Sequence, residues 1–160
     1  MNDLAEVCKR PIAALLPHRA PMILLDEACG MEGEFFKAKV RITPASPFFS
    51  PGVPGGVPAW VGLEYMAQTV AAYSGAQGLA RGGEVKAGML LGTREYAAEI
   101  PIFPDGRELE VLARIDIFQE NGVSSMHCRI RESGGRILAQ AQINVIDVPD
   151  LRKLLRERSA

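Results

Sequence analysis

Histidine is scarce in this chain: His18 and His127 are the only two in 160 residues. The three cysteines, Cys8, Cys29 and Cys128, are odd in number, widely spaced and without a C-x-x-C pair. A zinc or dithiol site is therefore not expected, no cofactor is implied, and free reduced thiols are the natural reading. Neither sign of charge dominates. With 18 basic and 19 acidic residues the net charge is -1, so no basic field exists to hold a nucleic-acid backbone. Long apolar runs are missing as well. The stretch after Trp60 comes nearest, but Glu64 and Gln68 interrupt it, and no transmembrane helix is expected. The N-terminus carries Asp3 and Glu6 and no continuous apolar segment, which does not suit a signal peptide; a cytoplasmic location is expected. No internal repeat, low-complexity tract or G-x-S-x-G nucleophile elbow is present.

What the chain does contain is enough apolar residue, 48%, to bury one substantial core. A single domain over 1–160 is expected, with its core in about 11–148 and a charged, helix-permissive tail in 149–160. Prolines flank His18-Arg19-Ala20 and impose an extended loop there. Met22 to Asp26 is an apolar run suited to a buried strand. Glu34 to Ile42 alternates apolar and charged residues, the period of a strand with one wet face, and pairs with the strand before it through a turn in 30–33. Pro44, Pro47, Pro51, Pro54 and Pro58 then exclude helix and central strand, so 44–58 reads as a loop. From Trp60 to Gln77 the apolar and small residues recur at three-to-four spacing, which predicts a helix packed on all sides, with Gly78, Gly82 and Gly83 as stop signals. Four further strands are predicted at 87–100, 108–119, 123–132 and 137–147, the last three joined by short turns at Asn121-Gly122 and Ser133-Gly134-Gly135. The sum is an α+β fold: a curved antiparallel sheet of about six strands wrapped around one long central helix.

Two stretches give this pattern a family likeness. Leu16-Pro17-His18-Arg19-Ala20-Pro21-Met22-Ile23-Leu24-Leu25-Asp26 resembles the L-P-H-R-x-P-x-L-L-x-D segment of the hotdog-fold 3-hydroxyacyl-acyl-carrier-protein dehydratases. Val57-Pro58-Ala59-Trp60-Val61-Gly62-Leu63-Glu64-Tyr65-Met66-Ala67-Gln68 resembles the start of their central helix. Weaker echoes are Leu91-Gly92-Thr93 and Pro104-Asp105-Gly106. The helix wording is similar to that of predicted dehydratases of aryl polyene pathways. The resemblance implies a hotdog fold and elimination of water from a 3-hydroxyacyl thioester to give a trans-2-enoyl product.

That reaction needs a base for the C2 proton, an acid for the departing C3 hydroxyl, and N–H groups around the enolate-like oxygen. In the resembled enzymes a loop histidine is the base and a helical carboxylate the acid, and the two meet across a dimer interface. Glu64 stands at the carboxylate position. Ser50, in Ser46-Pro47-Phe48-Phe49-Ser50-Pro51-Gly52, stands where the histidine would be, and a lone serine cannot be the C2 base. His18 is the replacement candidate, with a purely structural His18 as the alternative; His127, on a later strand, reads as a surface residue. By the same resemblance Ser50, Ala59, Trp60, Gln68 and Gly92 are candidate substrate-binding positions. The implied partners are an acyl carrier protein bearing the chain on phosphopantetheine, with Arg19, Arg81, Lys86 and Arg94 as candidate contacts, and a second hotdog chain, identical or different. A catalytically reduced acyl-binding subunit of a heterodimeric dehydratase and a hotdog thioesterase are the alternatives.

Overall fold

The computed structural model describes residues 2–159. In chain order it contains α1 (Leu4–Val7), β1 (Glu27–Glu32), β2 (Phe35–Arg41), β3 (Gly56–Pro58), α2 (Gly62–Ala80), β4 (Gly88–Ala98), β5 (Ile102–Pro104), β6 (Glu108–Phe118), β7 (Val123–Glu132), β8 (Ile137–Asp147) and α3 (Val148–Arg158). Six strands form one antiparallel sheet in the order β1-β2-β6-β7-β8-β4, and β3 with β5 makes a small separate ladder. On β7, Met126, Cys128 and Ile130 are buried while His127, Arg129 and Arg131 alternate with them on the other face, as a two-residue period requires. The inward faces of the sheet close over α2, whose Tyr65, Met66, Thr69, Ala72 and Ala76 are all buried. Among the described residues no helix is long and apolar enough to cross a membrane.

α2 is covered because several of its side chains are small. A side chain at Gly75 would run into the carbonyl of Leu15, so glycine lets the N-terminal segment lie directly on the helix. The helix stops where Gly82 takes a φ of 80°, the left-handed conformation that ends many helices. It starts two residues later than expected. Trp60 belongs to a preceding 3-10 turn, Ala59–Val61; the residue is 65% exposed and its ring is edge-on to Phe48 at 5.8 Å.

A second correction concerns Met22 to Asp26, which is not a strand. Its apolar Leu24 and Leu25 are buried as expected, but its backbone is held by the side chain of Gln68: the Leu24 N–H donates to Oε1 and the Met22 carbonyl accepts from Nε2. Apolar content cannot say whether a backbone finds its partner in a strand or in an amide side chain. The strand itself is β1, paired with β2 around a bulge between Ala28 and Gly30. The proline-rich loop also contains the unanticipated β3, because Gly56–Pro58 meets Ile102–Pro104.

On the outer face, β1, β2, β6 and β7 share a charge network around Glu110, which is 4% exposed. Lys37 Nζ lies 2.8 Å and Arg131 Nη2 3.2 Å from Glu110 Oε2, and the Gly134 N–H donates to Oε1. Burial alone would raise this carboxyl, but the bonds from Lys37, Arg131 and Gly134 outweigh it and hold the group down to about 2 from an ordinary 4.5. A carboxyl depressed in the folded state adds stability above its ordinary titration range, and that stability is lost as pH falls from about 4.5 towards about 2. Urea unfolding at pH 7 should show Glu110→Gln less stable by about 1–3 kcal/mol, since it removes a buried, charge-assisted hydrogen-bond acceptor from the partly exposed Lys37 and Arg131, which keep Glu32. The gap between variant and wild type should shrink across that acidic window.

Candidate active site

Glu64 sits in the first turn of α2, and one turn later Gln68 occupies the same side of the helix, the i to i+4 relation that brings side chains together. Gln68 has no exposed surface. Its Nε2 donates both to the Met22 carbonyl at 2.7 Å and to Glu64 Oε1 at 3.0 Å. By tying the segment 17–24 to α2, the same amide brings His18 beside the carboxylate: His18 Nε2 lies 3.9 Å from Glu64 Oε1, with the two side chains 30% and 41% exposed. His18 Nδ1 is buried and has no hydrogen-bond partner among the described residues. Arg19 folds back over the same segment, its guanidinium donating to the carbonyls of Leu16 and His18.

His18 and Glu64 stand at one end of a cleft of about 430 Å³ that runs along α2. Ala67, Ala71 and Ser74 form its helix side, and Leu90, Met126 and Val145 line it from the sheet. Arg81 and Lys86 line it too, near the C-terminal end of α2. This is a mostly apolar slot with an imidazole and a carboxylate at one end, wide enough for an elongated apolar chain.

The other expected site residues are placed differently. Ser50 is exposed, and its backbone is bonded in both directions to Gly56. Ala59 is buried, with its carbonyl accepting from the Tyr96 hydroxyl. Trp60 points outward, and Gly92 lies half-exposed on β4 with nothing within 4 Å of where a Cβ would stand. Arg94 is exposed on β4 opposite Gln142. None of these lines the cleft with Glu64, and Gln68 lies behind the carboxylate. His127 is on the outer face, edge-on to Phe35 and accepting from Arg129 Nε at 3.1 Å, away from Glu64.

A model of ApeP-like proteins, described as ApeP dehydratase, matches residues 10–156. The chain belongs to the ApeP-like dehydratase family. It is similar to the 3-hydroxyacyl-[acyl-carrier-protein] dehydratase FabZ of Agrobacterium fabrum (strain C58 / ATCC 33970), with 27% identity over 152 residues, 92% of this chain and 91% of that one. Among solved structures it is similar to the dehydratase heterocomplex ApeI:P from Xenorhabdus doucetiae, at 27% identity, 91% and 97% coverage and a TM-score of 0.79. The E. coli PaaI protein from the phenylacetic acid degradation operon, at 14% identity, 91% and 96% coverage and a TM-score of 0.64, shares the fold alone. The sheet wrapped around α2 is thus the hotdog fold that the sequence motifs imply.

Tyr96 is a residue next to this candidate site, bracing the turn before Glu64, that sequence reading missed. It projects from an irregular stretch of β4 between Arg94 and Ala97, where Glu95 has a φ of 54°, and its hydroxyl reaches the turn that begins α2. Burial pushes that phenol up to about 12, so it remains a donor throughout the working range. Gly62, two residues before Glu64, is the position this arrangement requires, because a Cβ there would collide with the Tyr96 hydroxyl, Ile130 and Phe103. The only sequence signal was a glycine inside an otherwise continuous helical pattern. Gly62→Ala should cost about 1–3 kcal/mol by overpacking, read by urea unfolding. Tyr96→Phe, which removes the nearest colliding atom, should return part of that loss in a double-mutant cycle.

Proposed function

We propose that this chain is a subunit of a 3-hydroxyacyl-acyl-carrier-protein dehydratase, with Glu64 as general acid and His18 as general base. The observation that carries this reading is a carboxylate and an imidazole 3.9 Å apart at the head of an apolar cleft, in a member of a dehydratase family. Neutral His18 takes the C2 proton of the thioester through Nε2. As the C3–O bond breaks, protonated Glu64 delivers its proton to the leaving hydroxyl, so that water and a trans-2-enoyl thioester are produced. One proton has moved to His18 and one has left Glu64. The reset moves the first back through water that reaches both half-exposed side chains.

A second hotdog chain completes the molecule in this reading. β4 is an outer strand of the sheet, and its Met89, Leu90 and Leu91 are 48%, 39% and 47% exposed. An edge of that length with apolar side chains favours pairing with another chain. The heterocomplex formed by the ApeI:P proteins supports a different partner rather than an identical one. The acyl chain arrives on a carrier protein, as the name of the Agrobacterium relative has it for that enzyme. Arg81 and Lys86 offer the cleft's cations to the phosphate-bearing arm.

Serine at position 50 favours a second reading, in which the base is lent by the partner and this chain supplies the acyl slot and the carboxylate. Turnover of a 3-hydroxyacyl-carrier-protein substrate, measured with and without the second chain, separates the two. Glu64→Gln should abolish turnover in either case while folding is retained; unchanged activity would remove Glu64 from the mechanism. His18→Ala should lower turnover by roughly 100- to 10,000-fold if His18 is the base. Indifference to His18→Ala would transfer the base to the partner chain.

A further inference from the structure

We infer that Gln68 decides which oxygen of Glu64 carries the proton used in catalysis: Oε1 is held as an acceptor, and the transferable proton sits on Oε2. The inference rests on the proposed acid role of Glu64 and adds to it the atom that delivers.

The two backbone groups facing Gln68 determine its orientation. The N–H of Leu24 can only donate, so the Gln68 atom 2.9 Å from it is the carbonyl oxygen. The carbonyl of Met22 can only accept, so the atom 2.7 Å from it is the amide nitrogen. Turning the amide over would place donor against donor and acceptor against acceptor. Gln68 is fully buried, so no solvent would relieve either group. With one hydrogen of the NH2 group given to Met22, the other is directed at Glu64 Oε1, 3.0 Å away. That oxygen must accept. In a neutral carboxyl group the carbonyl oxygen is the better acceptor, so the hydrogen is placed on Oε2.

His18 Nε2 also lies on the Oε1 side, 3.9 Å away. When the imidazole has taken the C2 proton, Oε1 is the oxygen that lies beside the new cation, while Oε2 has just released its proton to the hydroxyl. The two oxygens have separate tasks: Oε1 is anchored and stabilised, and Oε2 delivers. Gln68 is thus a positioning residue that acts through Glu64.

Gln68→Glu tests this with nearly the same shape. The introduced carboxyl can still accept from Leu24, but when neutral it has one hydrogen for two acceptors, and when ionised it has none. Turnover measured with the partner chain present should fall roughly 10- to 100-fold at neutral pH, the loss of one hydrogen bond to a charged group, with KM little changed. The loss should deepen as pH rises through the titration of the introduced group, a slope the wild type lacks. A folded variant with wild-type turnover across the pH range would overturn the inference.

Isotope-edited infrared spectroscopy at acidic pH provides a readout that needs no activity, with Glu64→Gln subtracted to isolate the Glu64 band. The wild-type carbonyl stretch should lie at a hydrogen-bonded frequency and move to a free one in Gln68→Met, whose thioether has no hydrogen to donate. A band that does not move would also overturn the proposal. If the band moves and the wild type has no turnover with any partner, the proton assignment stands and the dehydratase reading falls.

Discussion

One buried amide organises the front of this molecule. Gln68 makes three hydrogen bonds with no access to water, two to the backbone of the segment before β1 and one to the carboxylate on its own helix. Each bond gains only about 1 kcal/mol net, but a lost partner would leave a buried polar group unsatisfied at a cost of about 1–3 kcal/mol. The arrangement is therefore all or nothing. Because it is complete, the proline-flanked segment stays on α2, and His18 is carried to the only carboxylate on that helix.

The rest of the fold makes room for that contact. Glycine at 75 admits the backbone of Leu15, and glycine at 62 admits the tyrosine that braces the start of α2. Around the helix, small side chains leave a slot where larger ones would have packed solid against the sheet. The charged network on the outer face is separate in location and in role. Its carboxylates and cations neutralise one another around Glu110, and they hold β1, β2, β6 and β7 in register on the side away from the slot.

Membership of a dehydratase family and the lack of the loop histidine place opposite demands on one reading. The proposed resolution within the chain uses His18, whose imidazole lies 3.9 Å from the carboxylate. An unpaired β4 edge with exposed apolar residues supplies another, through a partner. Both draw on the same half-exposed Glu64.

Much of this was readable before any coordinates. Alternation in 34–42 and in the last three strands, the three-to-four spacing after Trp60 and the glycines that end the helix are local signals, and each produced its element within a few residues. The carboxylate at Glu64 and the serine at position 50 were likewise plain from the motif and its spacing. The Met22–Asp26 segment went differently: apolar content announced burial, and Leu24 and Leu25 are buried, but the Leu24 N–H and the Met22 carbonyl are held by a side chain 44 and 46 residues away. So did Gln68, whose place in the helix was evident and whose three partners were not. Periodicity is written in neighbouring residues, so the sequence by itself determined most of the elements, the buried helix and the one carboxylate that it carries. Which donor meets which acceptor across the chain depends on how those elements pack, so only the tertiary structure decided that His18 stands beside Glu64 and that Gln68 faces inward to hold it.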